Sequence, residues 1–385
     1  MATNPHWDRY YSQTERRTPP ADNASQNYAR IKGLLEKYAK LLRGANPLAL
    51  LGMRTALRMG DPPGALRIAE AVPADAAIRA EPDFQWMSAS AHFLSRDYAA
   101  AQRPLLGLFR SRQSSESQKA AAAYALCGVY RKLNNTLEQL RFALWLHAAA
   151  GRKGMHWGNP GDIADLSVYW AVSGWDLSLL LEAEAPIDAL DSFVSRNPDL
   201  AGIRLVKYSL AVRLTRENRY EEAARIYQSI YATRRAPRMR HLAALYHEAT
   251  RGDLADQQRQ EAGYRMAEFI SANPDGIYFN DALWRGYQGY ALKASSESRL
   301  TRAERQALID SERKLKDDQE ERWRAYLILR DVVRDAGQTG LGRQAAVLAI
   351  RCLRGISVRF ERQQEIRTAD IALSRWLRRS PKVLR

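Results

Sequence analysis

The chain has 385 residues, 46% of them hydrophobic, and a formal charge of +16 from 59 Lys and Arg against 43 Asp and Glu. That is ample material for a large core, and the length implies two or three compact domains unless the chain is a repeat array, whose length is a free variable. No stretch approaches the roughly 18–20 continuous apolar residues of a membrane helix, and the two cysteines, Cys127 and Cys352, build neither a disulfide framework nor a Cys/His metal site.

Residues 1–22, with Tyr10, Tyr11, Arg16, Arg17, Pro19 and Pro20, read as an extended or disordered arm. No apolar segment follows basic residues there, so no secretory signal is expected as written. The expected location is cytoplasmic, or periplasmic if an upstream signal was removed. Residues 25–43 predict an amphipathic helix ending at Gly44. From there Pro47, Pro82, Pro160, Pro198, Pro237 and Pro274 recur at intervals of about 38 residues or twice that, the length of a helix–turn–helix unit. Asn46-Pro47, Asn159-Pro160, Asn197-Pro198-Asp199 and Asn273-Pro274-Asp275-Gly276 are turn sequences, suited to places where one helix ends and another begins.

Apolar spacing inside the units agrees. Tyr220, Ala223, Ala224, Tyr227 and Ile230 form one helical stripe; Ile203, Val206, Leu210 and Leu214 form another. The polar run Thr215-Arg216-Glu217-Asn218 joins them into a hairpin. The segment Asn218-Arg219-Tyr220-Glu221-Glu222-Ala223-Ala224-Arg225-Ile226-Tyr227 resembles the second-helix signature of tetratricopeptide repeats, in which a small residue lies three after one aromatic and four before another. Weaker copies begin at Gly60-Asp61-Pro62, Asp97-Tyr98, Gly128 and Pro186, with Asp61 a helix cap and Pro62 at the first helical position. Spacing longer than the usual repeat and Pro104 inside a second helix depart from the pattern; Pro104 predicts a kink or a short helix. The resemblance implies an all-α fold, a right-handed α-solenoid of stacked antiparallel hairpins, over residues 23–280.

After Asp281 the beat is lost, and residues 281–385 are expected to be divergent but helical. Thr301-Arg302-Ala303-Glu304 is a capping box opening a charged helix to about Gln319. A hairpin, Trp323–Asp335 and Gly342–Arg354, follows, then a basic terminal helix to Arg379 that would cap the array.

Candidate binding residues fall in four places. The loop around Lys153, His156 and Trp157 is rich in glycine but lacks a phosphate-binding spacing; it reads as an enlarged inter-repeat loop that could touch a partner. Arg234, Arg235, Arg238 and Arg240 cluster at a hairpin junction. Trp284 and Tyr287 belong to an aromatic-rich stretch, read as core or as peptide anchors. The resemblance places Tyr208, Val212 and Arg216 on the groove side of the best repeat, where the Lys/Asn clamp known from the family is not recognisable. The six histidines have no metal-ligand spacing.

These features predict a non-catalytic protein–protein interaction scaffold with no cofactor and no metal, binding another protein or peptide on its concave surface. Two alternatives remain open at this level. A basic surface, including Arg367, Arg375 and Arg378, suits nucleic acid or another anionic polymer, although arginine excess also follows from a GC-rich bacterial genome. A closed helical toroid acting on carbohydrate would draw on Asp176, Glu182, Glu184 and Asp281 with Trp175 and Trp284.

Overall fold

The computed structural model describes residues 46–153, 180–274, 276–283, 302–356 and 362–379, with isolated positions 29, 30, 33 and 177. Every regular element among them is helical, so the expected all-α class holds there. None of these helices is long and apolar enough to cross a membrane. The arm at 1–22, the helix at 25–43 and the capping box at Thr301 lie outside the residues described, apart from the isolated positions given. The described residues fall into two compact units divided between Leu180 and Leu181, with Leu200–Gly202 belonging to the first.

The first unit contains α1 (Asn46–Arg58), α2 (Pro62–Ala71), a 3-10 turn (Ala77–Ala80), α3 (Pro82–Leu94), α4 (Tyr98–Arg110), α5 (Glu116–Lys132) and α6 (Thr136–Lys153). Each of these α-helices packs on the next in chain order, and α3 also touches α1 and α5. Met53, Ala65, Ile78, Phe84 and Met87 knit the first three into one apolar cluster. Helix α5 is buried without interruption from Ala120 to Tyr130, because its run of alanines lets neighbours approach from every side. Its Cys127 is buried, and the thiol donates to Gln139 O at 3.6 Å. Helix α4 runs through Pro104 to Arg110 instead of stopping there.

The second unit starts in a π-helical turn (Leu180–Glu184) and continues with α7 (Ile187–Arg196), α8 (Ile203–Arg216), α9 (Tyr220–Ser229), α10 (Arg235–Thr250), α11 (Asp256–Ser271), α12 (Arg302–Gln319), α13 (Glu321–Ala336), α14 (Gly340–Gly355) and α15 (Gln363–Arg379). Helices α7 to α11 pack in sequence. Helix α13, not α12, then covers α11, and α14 and α15 follow. Gly263 makes this contact close: a Cβ there would lie 3.2 Å from Val332 Cγ2. The pairwise beat that the sequence loses at Asp281 therefore resumes at α13, after a detour. Packing in adjacent pairs is compatible with a helical repeat.

One turn recurs. Gly60, Arg96, Asn134 and Asn218 end α1, α3, α5 and α8 with φ of 73°, 62°, 54° and 60°. In each turn the next residue donates its amide back five positions at 2.9 Å, from Asp61 to Ala56, Asp97 to His92, Asn135 to Tyr130 and Arg219 to Leu214. This is the six-to-one bond of a left-handed helix stop. In three of the turns the same next residue caps the following helix: Asp61 accepts from Gly64 N at 2.8 Å, Asp97 from Ala100 N at 3.1 Å and Asn135 from Glu138 N at 3.3 Å. Stop and start are fused into two residues, so the angle between the paired helices has little freedom. The prolines serve the other junctions: Pro82 opens α3 and Pro237 lies in the first turn of α10.

Arg96 has a Cβ where the left-handed conformation favours glycine. Arg96→Gly is expected to raise stability by about 0.5–1 kcal/mol, and Asp97→Ala to lower it by about 1 kcal/mol through loss of the cap. Urea denaturation of the two variants checks both signs. A loss of stability in Arg96→Gly would show that the arginine side chain outweighs the backbone term.

Candidate functional site

After α11 the next described residues are not helical. Residues 276–283 run as a non-helical strap, and Ile277, Tyr278 and Asn280 are 0%, 1% and 0% exposed. Buried main chain outside regular structure needs partners for its amides and carbonyls, since an unpaired one costs as much as a lost hydrogen bond. Here side chains supply them. Arg238 Nη1 donates to Gly276 O at 3.4 Å, Arg235 Nη1 to Ile277 O at 3.1 Å, Arg216 Nε to Tyr278 O at 3.0 Å and Arg235 Nη2 to Phe279 O at 2.8 Å. Four successive carbonyls are thus held by guanidinium groups. On the other edge Glu321 Oε1 accepts the amides of Ile277 at 3.4 Å and Tyr278 at 3.1 Å.

The strap's side chains are gripped as closely. Asn280 Nδ2 donates to Ser209 Oγ at 3.0 Å and to Glu182. The Glu182 side chain is 0% exposed and also accepts from Arg216 Nη1 at 2.6 Å and Gln319 Nε2 at 3.1 Å. Asp281 accepts from Arg235 Nη2 at 2.9 Å and from the Tyr208 hydroxyl. The Arg324 guanidinium lies 4.2 Å from the centre of the Tyr278 ring, and the Tyr278 and Tyr220 hydroxyls meet at 2.9 Å. Tyr220 in turn donates to Asn218 Oδ1 at 2.8 Å, the residue that stops α8. Burial raises the pKa of Tyr208, Tyr220 and Tyr278, so each remains a neutral donor. Two buried atoms in the cluster are left without a partner: Arg216 Nη2 and Asn280 Oδ1.

Beside the strap lies an open groove of about 1090 Å³ between α10, α11 and α13, with Asn218, Tyr278 and Arg324 on the shared wall. Tyr246, Met266, Trp323 and Tyr326 contribute apolar surface. Its acids are matched by arginines: Asp317 to Arg362 at 2.6 Å, Asp318 to Arg324 at 3.6 Å and Asp331 to Arg334 at 3.1 Å. Burial raises the pKa of Asp318, opposed by nearby Arg324. The groove presents aromatic surface among paired charges.

Four residues selected from sequence, Tyr208, Arg216, Arg235 and Arg238, converge on the strap. Val212, read as facing the groove, is buried completely. Arg234 and Arg240 are exposed, and Arg240 donates to Gln228. Lys153 is the last residue of α6; its side chain, together with His156, Trp157, Trp284 and Tyr287, lies outside what the structure describes. Of the carboxylates considered for glycoside chemistry, Glu182 is locked in the cluster and Asp281 is tied to the strap's own anchor. Asp176, Trp175 and the Glu184 side chain are outside the described residues. Among those residues, no group of three His, Cys, Asp or Glu side chains is placed to hold a metal ion. Glu321, Arg324, Gln319 and Asn280 were not foreseen. The available signal was Ile277-Tyr278-Phe279, a short apolar run without helical spacing, followed by polar Asn280 and Asp281.

Comparison with models of known protein families, with curated proteins and with solved structures finds no match.

Removing one member of a buried ion pair leaves the other uncompensated. Glu182→Ala and Arg216→Ala are each expected to cost about 3–5 kcal/mol, while the paired change Glu182→Leu/Arg216→Met costs far less than the sum. Denaturant unfolding of the three variants tests this, and strict additivity would remove the pair as the cluster's organiser.

Proposed function

We propose that the protein is a non-catalytic scaffold: a superhelical array of tetratricopeptide-like hairpins that binds another protein or peptide along its inner face. Support for the array comes from the recurring fused turn and from helices that pack in adjacent pairs. Tyr220, Ala223 and Tyr227, the residues that carry the resemblance, are buried as that packing requires. The binding reading rests on one observation, the groove of about 1090 Å³ between α10, α11 and α13. An aromatic floor bounded by charged side chains is the anatomy of a protein interface, with an apolar centre and a polar rim.

A photo-crosslinking residue at Thr250 or Gln260, both on the groove wall, is compared in the source cell with one at Arg225, which is exposed on α9. Discrete adducts from the groove positions and none from Arg225 are expected. Equal labelling from all three, or none from the groove, would end the scaffold reading.

The exposed Arg367, Arg375 and Arg378 of α15 favour a second reading, contact with an anionic polymer. If it holds, Arg375→Ala/Arg378→Ala elutes from heparin at lower salt, and each lost phosphate contact flattens the salt dependence of nucleic-acid binding by about one unit of slope. Unchanged elution removes α15 from consideration.

A further inference from the structure

We infer that the cleft walled by α8, α10 and the start of α13 is a site for a non-helical peptide segment, occupied here by the chain's own residues 276–283, so that an outside partner enters only by displacing them. The inference rests on the scaffold reading and gives its partner a chemistry: an aromatic residue, any residue, then Asn-Asp, matching Tyr278, Phe279, Asn280 and Asp281.

The contacts are of the kind a peptide site makes. Arg216, Arg235 and Arg238 take main-chain carbonyls, and Glu321 takes main-chain amides. These interactions read a non-helical backbone whatever its sequence. Specificity comes from three pockets. Arg324 and Tyr220 hold the aromatic ring and its hydroxyl. Glu182 and Ser209 accept the amide of the Asn. Arg235 and Tyr208 donate to the carboxylate of the Asp.

Three features point to an occupant that can leave. The carbonyls of Gly276 to Phe279 and the amides of Ile277 and Tyr278 are met by side chains of the wall, so their departure breaks no main-chain bond within the wall helices. The fit is incomplete, because Arg216 Nη2 and Asn280 Oδ1 are buried without partners at the contact itself. The far end is accessible: the Asp281 side chain is 61% exposed, and Tyr278 is also a wall of the open groove, which offers a way in. A segment tethered in this way competes at an effective concentration of the order of millimolar, and the apparent affinity of a free ligand falls by the fraction of time the cleft is vacant.

The test uses the full chain and a fluorescein-labelled synthetic peptide with the sequence of residues 276–283. Asn280→Ala/Asp281→Ala loosens the strap and leaves the cleft residues intact. Fluorescence anisotropy is expected to show saturable binding to this variant at least about tenfold tighter than to the unaltered protein, with a peptide alanine-substituted at its Asn and Asp at least about tenfold weaker. Circular dichroism and thermal unfolding establish that the variant is folded. If it is not, Asp281→Asn, at the exposed end, takes its place, with a several-fold gain expected. Equal binding to loosened and unaltered protein would overturn occupation in cis. No saturable binding to a folded, loosened variant would make the strap a structural plug only. Crosslinking from Thr250 separates the two readings: peptide indifference with that crosslink retained removes this inference alone, whereas loss of the crosslink removes the scaffold.

Discussion

A length of main chain without secondary structure is buried in the second unit, and the chemistry around it follows from that constraint. Peptide groups at Ile277, Tyr278 and Phe279 cannot reach water freely, so donors and acceptors had to be brought to them. Guanidinium is well suited to the carbonyl side, since its planar fork places several donors at fixed angles where an ammonium offers one compact charge. Arg235 uses this fork to span two carbonyls and a carboxylate at once. Each buried cation then requires an anion. Glu182 answers Arg216 at 2.6 Å, and Asp281 answers Arg235 at 2.9 Å. Glu182 would itself be costly alone, and Asn280 and Gln319 complete its coordination. Arg216 and Glu182 are therefore held together by necessity rather than by accumulation: removing either strands the other.

The rigidity of the hairpins makes such a cluster possible. A polar network of this kind tolerates little misplacement, because its bonds are short and its surroundings dry. The left-handed stop at Asn218 fixes where α8 ends and α9 begins, and its side chain oxygen meets Tyr220 and Arg324 in the same place. The turn thus serves both backbone geometry and the cluster. Helix α12 serves the second unit differently. It is bypassed when α13 packs on α11, yet its last turn delivers Gln319 to Glu182 and Asp317 to Arg362. The departure from regular pairing is what allows residues far apart in the chain to meet around the strap.

Local features of this fold were legible and distant ones were not. Gly60-Asp61, Asp97 and Asn134-Asn135 announce helix ends because their backbone preferences act within a few residues. The stripe from Tyr220 to Ile230 announces a buried face for the same reason. Pro104 predicts a kink or a short helix; α4 is not cut short there but continues to Arg110, which shows packing overriding propensity for its length. The arginines near Pro237 drew attention as a group, though sequence could not separate them: Arg235 is 6% exposed, while Arg234 and Arg240 face outward. Nothing local marks Glu182 as the partner of Arg216 or Glu321 as the acceptor for Tyr278. Those pairings follow from α13 rather than α12 packing on α11, a property of topology rather than of any short pattern.

The charge balance takes on a different meaning in this light. A net +16 suggests a surface seeking anions. Many of the arginines behind it instead close carbonyls inside the protein. Arg79 donates to Ala69 O at 3.0 Å and Pro73 O at 2.9 Å beyond the end of α2; Arg324 donates to Arg216 O at 2.8 Å at the end of α8; Arg322 reaches Gly355 O at the end of α14; and Arg213 reaches Ala185 O past the π-helical turn. A helix C-terminus carries unpaired carbonyls and partial negative charge, so a cation there is favoured twice. The strap carries the same device from helix ends to a stretch of non-helical backbone. An array of short helices has many ends to satisfy, and arginine satisfies them across junctions where glycine and water otherwise would. Arginine excess is on this account partly a requirement of the architecture: these residues keep their charge, but the donors they spend on carbonyls are not free for an external polyanion.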